Sequence, residues 1–251
     1  MRQERPLKKI RILIPLFIFS LGTAPSYAQD QSFLPFIIGD IITASDYFDL
    51  VSDQYAQIED YQALITILQQ ETSLHGMLYH KRPDLLLLEF EEPEGQVISV
   101  DNERLLIYLP KLNVIMHQNL REKDVEGVNE EFVPGATAEG LRLLQEHYSV
   151  AFLDTQDFVP LEEGSDELVR NLKLEWRSID EGFRQLVLSI GEDYLIRRIV
   201  GVTAGFEELQ IDFEEMVINQ NLPEGRFLYD PPPDSNYISD FIFPSNIEKE
   251  E

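Results

Sequence analysis

The chain has 251 residues and no cysteine, and its 46 acidic against 20 basic residues give a net charge of −26. The missing cysteine excludes disulfides, thiolate chemistry and the acylation site of a lipobox, while so negative a surface disfavours nucleic acid and anionic lipid headgroups as partners. The length suits one domain of about 200 residues, or at most two small ones, with enough chain for a sizeable core.

The amino end carries Arg2, Arg5, Lys8, Lys9 and Arg11, then an apolar stretch from Ile10 to Leu21, then small residues up to Ala28. That order is the positive, apolar and small-residue sequence of a secretory signal peptide. The apolar run is shorter than the roughly 20 residues that a spanning helix needs, so cleavage after Ala28 is the leading expectation and an uncleaved anchor the alternative. Losing five basic residues and one acid would move the net charge from −26 to −30. No later stretch is apolar enough to enter a membrane.

From Gly39 to Gln57, Ile41, Ile42, Ala44, Tyr47, Phe48, Leu50, Val51 and Tyr55 recur at spacings of three and four, which predicts an amphipathic helix. Strand texture follows in Ala63 to Leu68, Leu74 to Tyr79, Leu85 to Phe90, Val97 to Val100, Leu105 to Leu109 and Val114 to His117. The short breaks between them hold Gly, Pro, Asn and Asp and imply antiparallel neighbours. After Pro134-Gly135, Thr137 is placed to cap a second helix with Leu141, Leu144 and Tyr148 on one face.

Strands resume at Val150 to Leu153, Leu172 to Trp176, Gln185 to Ile190, Tyr194 to Val202 and Glu208 to Ile218, with an acidic loop from Thr155 to Glu167. The segment after Pro231-Pro232-Pro233 reads as extended, packing through Phe241 and Phe243. The expected fold class is mainly antiparallel β with a helical lid. About ten strands would curl into a trough rather than stay flat.

Leu85, Leu86, Leu87 and Leu88 are consecutive, so both faces of that strand are apolar and both must be covered. Either the strand is sandwiched between core layers, or one face lines an apolar cavity beneath the helices.

Little points to catalysis. His75, His80, His117 and His147 are scattered, and the nearest two, five residues apart, fall on opposite strand faces, so no metal and no cofactor is expected. The pairs Glu91-Glu92, Glu130-Glu131 and Glu162-Glu163 read as solvated charge. No phosphate loop, nucleophile elbow or nucleophile-plus-histidine pattern occurs. These features favour a binding protein over an enzyme.

Gly76 to Pro83 reads G-M-L-Y-H-K-R-P, followed by Glu92-Pro93, by Val97 to Asn102, and by Leu105-Leu106-Ile107-Tyr108-Leu109-Pro110. Later come Asn221-Leu222-Pro223, Phe227, Tyr229 and Pro231-Pro232. In order and spacing these segments resemble the periplasmic lipoprotein carriers of the LolA family, with its G-x-L-x-x-x-R-P, S-D-G, L-W-x-Y and closing F-x-[FY]-x-P-P segments. Val100-Asp101-Asn102 stands in place of S-D-G and Leu106 in place of the tryptophan.

The resemblance implies an incomplete, half-open β-barrel closed by helices, with residues 29–233 as the carrier domain and 234–251 as an added acidic tail. It implies a latch at Arg82, whose alternative is a solvated arginine in a turn. It also implies an acyl-chain cavity, to which Leu86, Leu88 and Phe90, Leu106 and Tyr108, and Leu141 and Leu144 are assigned. Ordinary core is the competing reading for each of these.

Implied partners are acylated lipoproteins, an inner-membrane lipoprotein-releasing ABC transporter and an outer-membrane acceptor, met in the periplasm by a monomer. A lipid- or lipoprotein-sensing regulator of the same fold is the second reading, and a secreted hydrolase the third.

Overall fold

The fold is given by a computed structural model of the chain, which describes residues 42–101, 104–120, 136–178 and 182–239. The expected signal peptide, Glu130-Glu131, Phe241 and Phe243 lie outside the described residues.

The first helix, α1, spans Ala44–Ala56. It begins later than its apolar spacing suggests, because Thr43 is extended and its hydroxyl accepts from the amide of Asp46 at 3.1 Å, capping the first turn. Tyr47, Phe48, Val51 and Tyr55 form its buried stripe, whereas Leu50 faces solvent. Six strands follow: β1 Asp60–Gln69, β2 Thr72–Lys81, β3 Leu85–Glu92, β4 Val97–Val100, β5 Arg104–Leu109 and β6 Val114–Asn119.

The second helix, α2, spans Ala138–His147 and is capped by Thr137 as its sequence predicts, the hydroxyl accepting from Gly140 N at 3.0 Å. It runs directly into β7 Tyr148–Phe152. Tyr148, expected on the helix face, is therefore the first residue of a strand, with its hydroxyl buried and donating to the Phe183 carbonyl at 2.8 Å. The remaining strands are β8 Val159–Pro160, β9 Leu168–Trp176, β10 Phe183–Gly191, β11 Ile196–Thr203, β12 Glu208–Ile218 and β13 Asn236–Ser239.

The thirteen strands among the described residues belong to one sheet, in the order β13-β6-β5-β4-β3-β2-β1-β12-β11-β10-β9-β7, with β8 also paired to β9. Every neighbour is antiparallel except β13, which lies parallel to β6. Among the described residues the end strands β13 and β7 do not pair, and the sheet is open between them. The excess over about ten strands comes from the short β8 and β13. An open antiparallel sheet covered by two helices is the architecture that the motif resemblance implied.

Cross-strand pairing lines up apolar rows on the face beneath the helices. Ala63, Leu78, Leu88, Ile98 and Ile107 stand side by side across β1 to β5, and Ile67, Ile211, Ile199, Leu188 and Leu172 continue the layer across β12 to β9. These side chains pack in one cluster with the buried stripes of both helices.

Gly76 sits in this layer at a bulge between β2 and β3, where a Cβ would lie 2.4 Å from the Glu89 carbonyl oxygen. The glycine at the head of G-x-L-x-x-x-R-P thus permits a close backbone approach.

On the opposite face Leu87, Val97 and Phe227 form a second buried cluster, with Tyr79, Leu85, Tyr108, Leu222 and Tyr229 around it. The 3₁₀ turn Glu224–Phe227 covers this face, and Arg226 lies 3.9 Å from the centre of the Tyr79 ring and pairs with Glu89. Both faces of the four-leucine strand are covered, as its composition requires.

The buried carboxylate of Asp60 ties down the approach to this turn by accepting from the amides of Gln220 at 2.8 Å and Leu222 at 3.1 Å. The acidic loop is also more than solvated charge. Glu162 pairs with Arg198 at 2.6 Å and Glu167 with Arg197 at 2.5 Å, fastening the loop to β11.

Candidate functional site

The site is the seam between the helices and the sheet, and polar contacts of Tyr55, Tyr61 and Arg82 are among those that fasten it. The Tyr55 hydroxyl on α1 accepts from the Ile196 amide at 3.1 Å. The Tyr61 hydroxyl on β1 donates to the carbonyl of Ala136, just ahead of α2, at 3.2 Å. Burial pushes both phenols upward, so both stay protonated.

The third contact is Arg82, which follows β2. Its amide donates to the Glu59 carbonyl at 2.9 Å and its Nη1 to the Ala56 carbonyl at 2.9 Å. Ala56 is the last residue of α1, whose terminal carbonyls have no partner within the helix and carry its negative dipole end. A guanidinium suits that place on both counts. Glu59 adds an exposed ion pair at 3.4 Å.

Between the end of α1, the start of α2 and the turn after β2 lies a cleft of about 580 Å³. Asp49, Ser52, Tyr61, His80, Arg82 and Thr137 are among the residues lining it. His80 is 2% exposed and stacks on Tyr61 at 5.0 Å between ring centres. Burial, with help from the charge of Arg82 and against that of Asp60, lowers its pKa from 6.5 to about 4, so the ring is neutral near pH 7. Among the described residues neither of its ring nitrogens has a hydrogen-bond partner, and the buried Ser52 Oγ in the same wall has none either.

Of the residues assigned from sequence to a cavity, Leu86, Leu88, Phe90, Leu141 and Leu144 all lie in the helix-side cluster. There they pack against one another and against both helices, and none of them lines the cleft. Leu106 and Tyr108 need correcting. Leu106 pairs with Ser99 and His117 on the outer face and lines a groove with Phe227 and Leu228, and Tyr108 packs in the outer cluster beside Tyr229. The residues of β5 that face the helices are Leu105, Ile107 and Leu109.

The histidines fall as their spacing predicts. His75 bonds Thr66 and Ser73 on the exposed side, whereas His80 points inward. Among the described residues no group of three or more His, Asp or Glu side chains is placed to hold a metal, and no helix is long and apolar enough to cross a membrane. Sequence reasoning gives Ser52, Tyr55, Tyr61 and His80 no part in a site. A signal for His80 exists: it continues the period-two face of Leu78, where a histidine among apolar residues stands out.

Neither a family model nor a curated protein sequence matches the chain. Among solved structures it is similar to an uncharacterized conserved protein from Thermus thermophilus, at 18% identity and a TM-score of 0.49, covering 78% of this chain and 98% of that one. It is similar to the MucA/MucB complex of Pseudomonas aeruginosa, at 12% identity and a TM-score of 0.47, covering 74% of this chain and 61% of that one. It is also similar to a LolA superfamily protein from Nitrosomonas europaea, at 12% identity and a TM-score of 0.38, covering 75% and 99% respectively.

Proposed function

We propose that this chain is a periplasmic carrier that shelters the acyl chains of lipoproteins between its sheet and its two helices, and that it has no catalytic role. The observation that carries the reading is the continuous apolar layer on the helix side of an open sheet, covered by helices that polar contacts at Tyr55, Tyr61 and Arg82 fasten at the seam. The ordered motifs from Gly76 to Pro110 support it, as does the export signal expected over residues 1–28.

Burying acyl chain yields about 0.8 kcal/mol per methylene, so long chains offer tens of kcal/mol gross. In the structure the helix-side apolar surface is packed by the protein's own side chains, Leu88, Phe90, Leu141 and Leu144 among them. Cargo and closed lid therefore compete for one apolar surface, and that competition keeps binding reversible. Arg82 is the latch on the closed state, holding the end of α1 to the turn after β2.

In this reading the cargo comes from an inner-membrane lipoprotein-releasing transporter and goes to an outer-membrane acceptor. Incubating residues 29–251 with a triacylated lipoprotein in detergent, removing the detergent and running gel filtration tests it. A soluble one-to-one complex is expected, and a lipoprotein that only aggregates would refute the proposal. Tight binding to a membrane-embedded regulator without any transfer between membranes would favour the sensing role instead.

A further inference from the structure

The cleft beside Arg82 contains polar groups that neither the apolar layer nor the latch uses. His80 Nδ1, His80 Nε2 and Ser52 Oγ are buried in its wall without partners among the described residues. Leaving a buried polar group unpaired is costly, and nearly all such groups in folded proteins are paired. Grouping them in one open cleft points to a partner that arrives from outside.

Their chemistry narrows what that partner is. A neutral imidazole offers one donor and one acceptor, and a serine hydroxyl offers both. The cleft is also lined by Asp49, Asp53, Asp84 and Glu139 against Arg82 and Arg142, so a carboxylate or phosphate would meet an excess of like charge. A neutral group with both donors and acceptors fits, such as an ester or amide carbonyl next to a hydroxyl.

Position supplies the rest. His80 pairs across strands with Tyr61 on one side and Leu86 on the other, and that row continues through Val100 and Leu105 beneath the helices. Polar cleft and apolar layer therefore meet at His80. We propose that this cleft is a head-group site, in which His80 and Ser52 hydrogen-bond the neutral ester, amide or hydroxyl groups at the head of an acylated molecule whose chain lies along the helix-side layer. The inference rests on the carrier reading and adds to it a chemical preference at the mouth.

The test uses residues 29–251, titrated with three probes whose chains of about fourteen carbons offer about equal apolar area: monomyristoylglycerol with a neutral head, myristate with an anionic head, and tetradecane with none. Monomyristoylglycerol is expected to bind tightest. His80→Phe, which keeps a ring on Tyr61, should weaken monomyristoylglycerol by about fivefold and leave tetradecane unchanged.

In the unmutated protein the His80 ring ¹⁵N resonances should move on adding monomyristoylglycerol and stay in place with tetradecane. That measurement decides the matter even if the variant fails to fold. If the three probes bind alike and the His80 resonances do not respond to the head, the head-group site is wrong and the acyl-binding reading stands. If myristate binds tightest, the neutral preference is wrong. If no probe binds, both readings fall.

Discussion

Replacing Arg82 by leucine removes the hydrogen bond from Nη1 to the Ala56 carbonyl, 2.9 Å long, and the ion pair with Glu59 at 3.4 Å. A hydrogen bond from a charged donor contributes about 1.5–3 kcal/mol when shielded from water. The Arg82 side chain is 46% exposed, so solvent screening brings the contribution to about 1 kcal/mol. Glu59 is 74% exposed and its pair adds nothing measurable.

Weakening the closed state by about 1 kcal/mol raises the open population about fivefold. If an acyl chain enters only the open state, its association rate rises by the same factor. Stopped-flow mixing with a pyrene-labelled acyl chain measures this. Arg82→Leu should associate about fivefold faster, Arg82→Lys should fall in between because it keeps a donor, and Glu59→Gln should match the unmutated chain. An unchanged rate in a folded Arg82→Leu protein would refute the latch.

Three further outcomes follow from particular contacts. Gly76→Ala places a methyl against the backbone of Glu89 and Phe90, at 2.4 Å and 2.9 Å, and should destabilise the fold by about 1–3 kcal/mol, read from the denaturant midpoint. The unfolded chain takes up a proton on His80 near pH 6.5 whereas the folded chain does so only near 4, so stability falls as the pH drops through that window. The loss reaches about 3 kcal/mol at pH 4, appears as the difference between the unmutated chain and His80→Phe, and parallel pH curves for the two would contradict it. Phe227→Ala empties the outer cluster and should cost about 3 kcal/mol of stability while leaving acyl-chain affinity unchanged, because Phe227 lies across the sheet from the helices.

Local pattern carries much of this fold. The stripe of Tyr47, Phe48, Val51 and Tyr55, the cap at Thr137 and the alternation around Leu209, Ile211 and Phe213 all describe elements that form, although α1 starts later and α2 ends sooner than the spacing suggests. Period two establishes which residues share a face, but not which of the two faces that is. Leu105, Ile107 and Leu109 are as apolar as Leu106 and Tyr108, and only the pairing of Ser99 with Leu106 decides that Leu106 faces outward.

Non-local contacts lie beyond pattern altogether. The parallel pairing of β13 with β6, and the ties from Glu162 and Glu167 to Arg198 and Arg197, join residues far apart in the chain. Arg82 is legible through its motif. His80, two residues earlier, is set aside in the sequence as an unlikely metal ligand, and its place between cleft and apolar layer depends on its neighbours across the strands.

In the proposed carrier, acyl chains lie on the helix side of the sheet. Methyl-labelled protein mixed with an acyl chain carrying a nitroxide tests it most directly. Paramagnetic broadening is expected to be strongest at the methyl resonances of Leu88, Leu141 and Leu144 and clearly weaker at Leu106 and Leu228 on the outer face. Broadening confined to Leu106 and Leu228, or to no methyl at all, would contradict it.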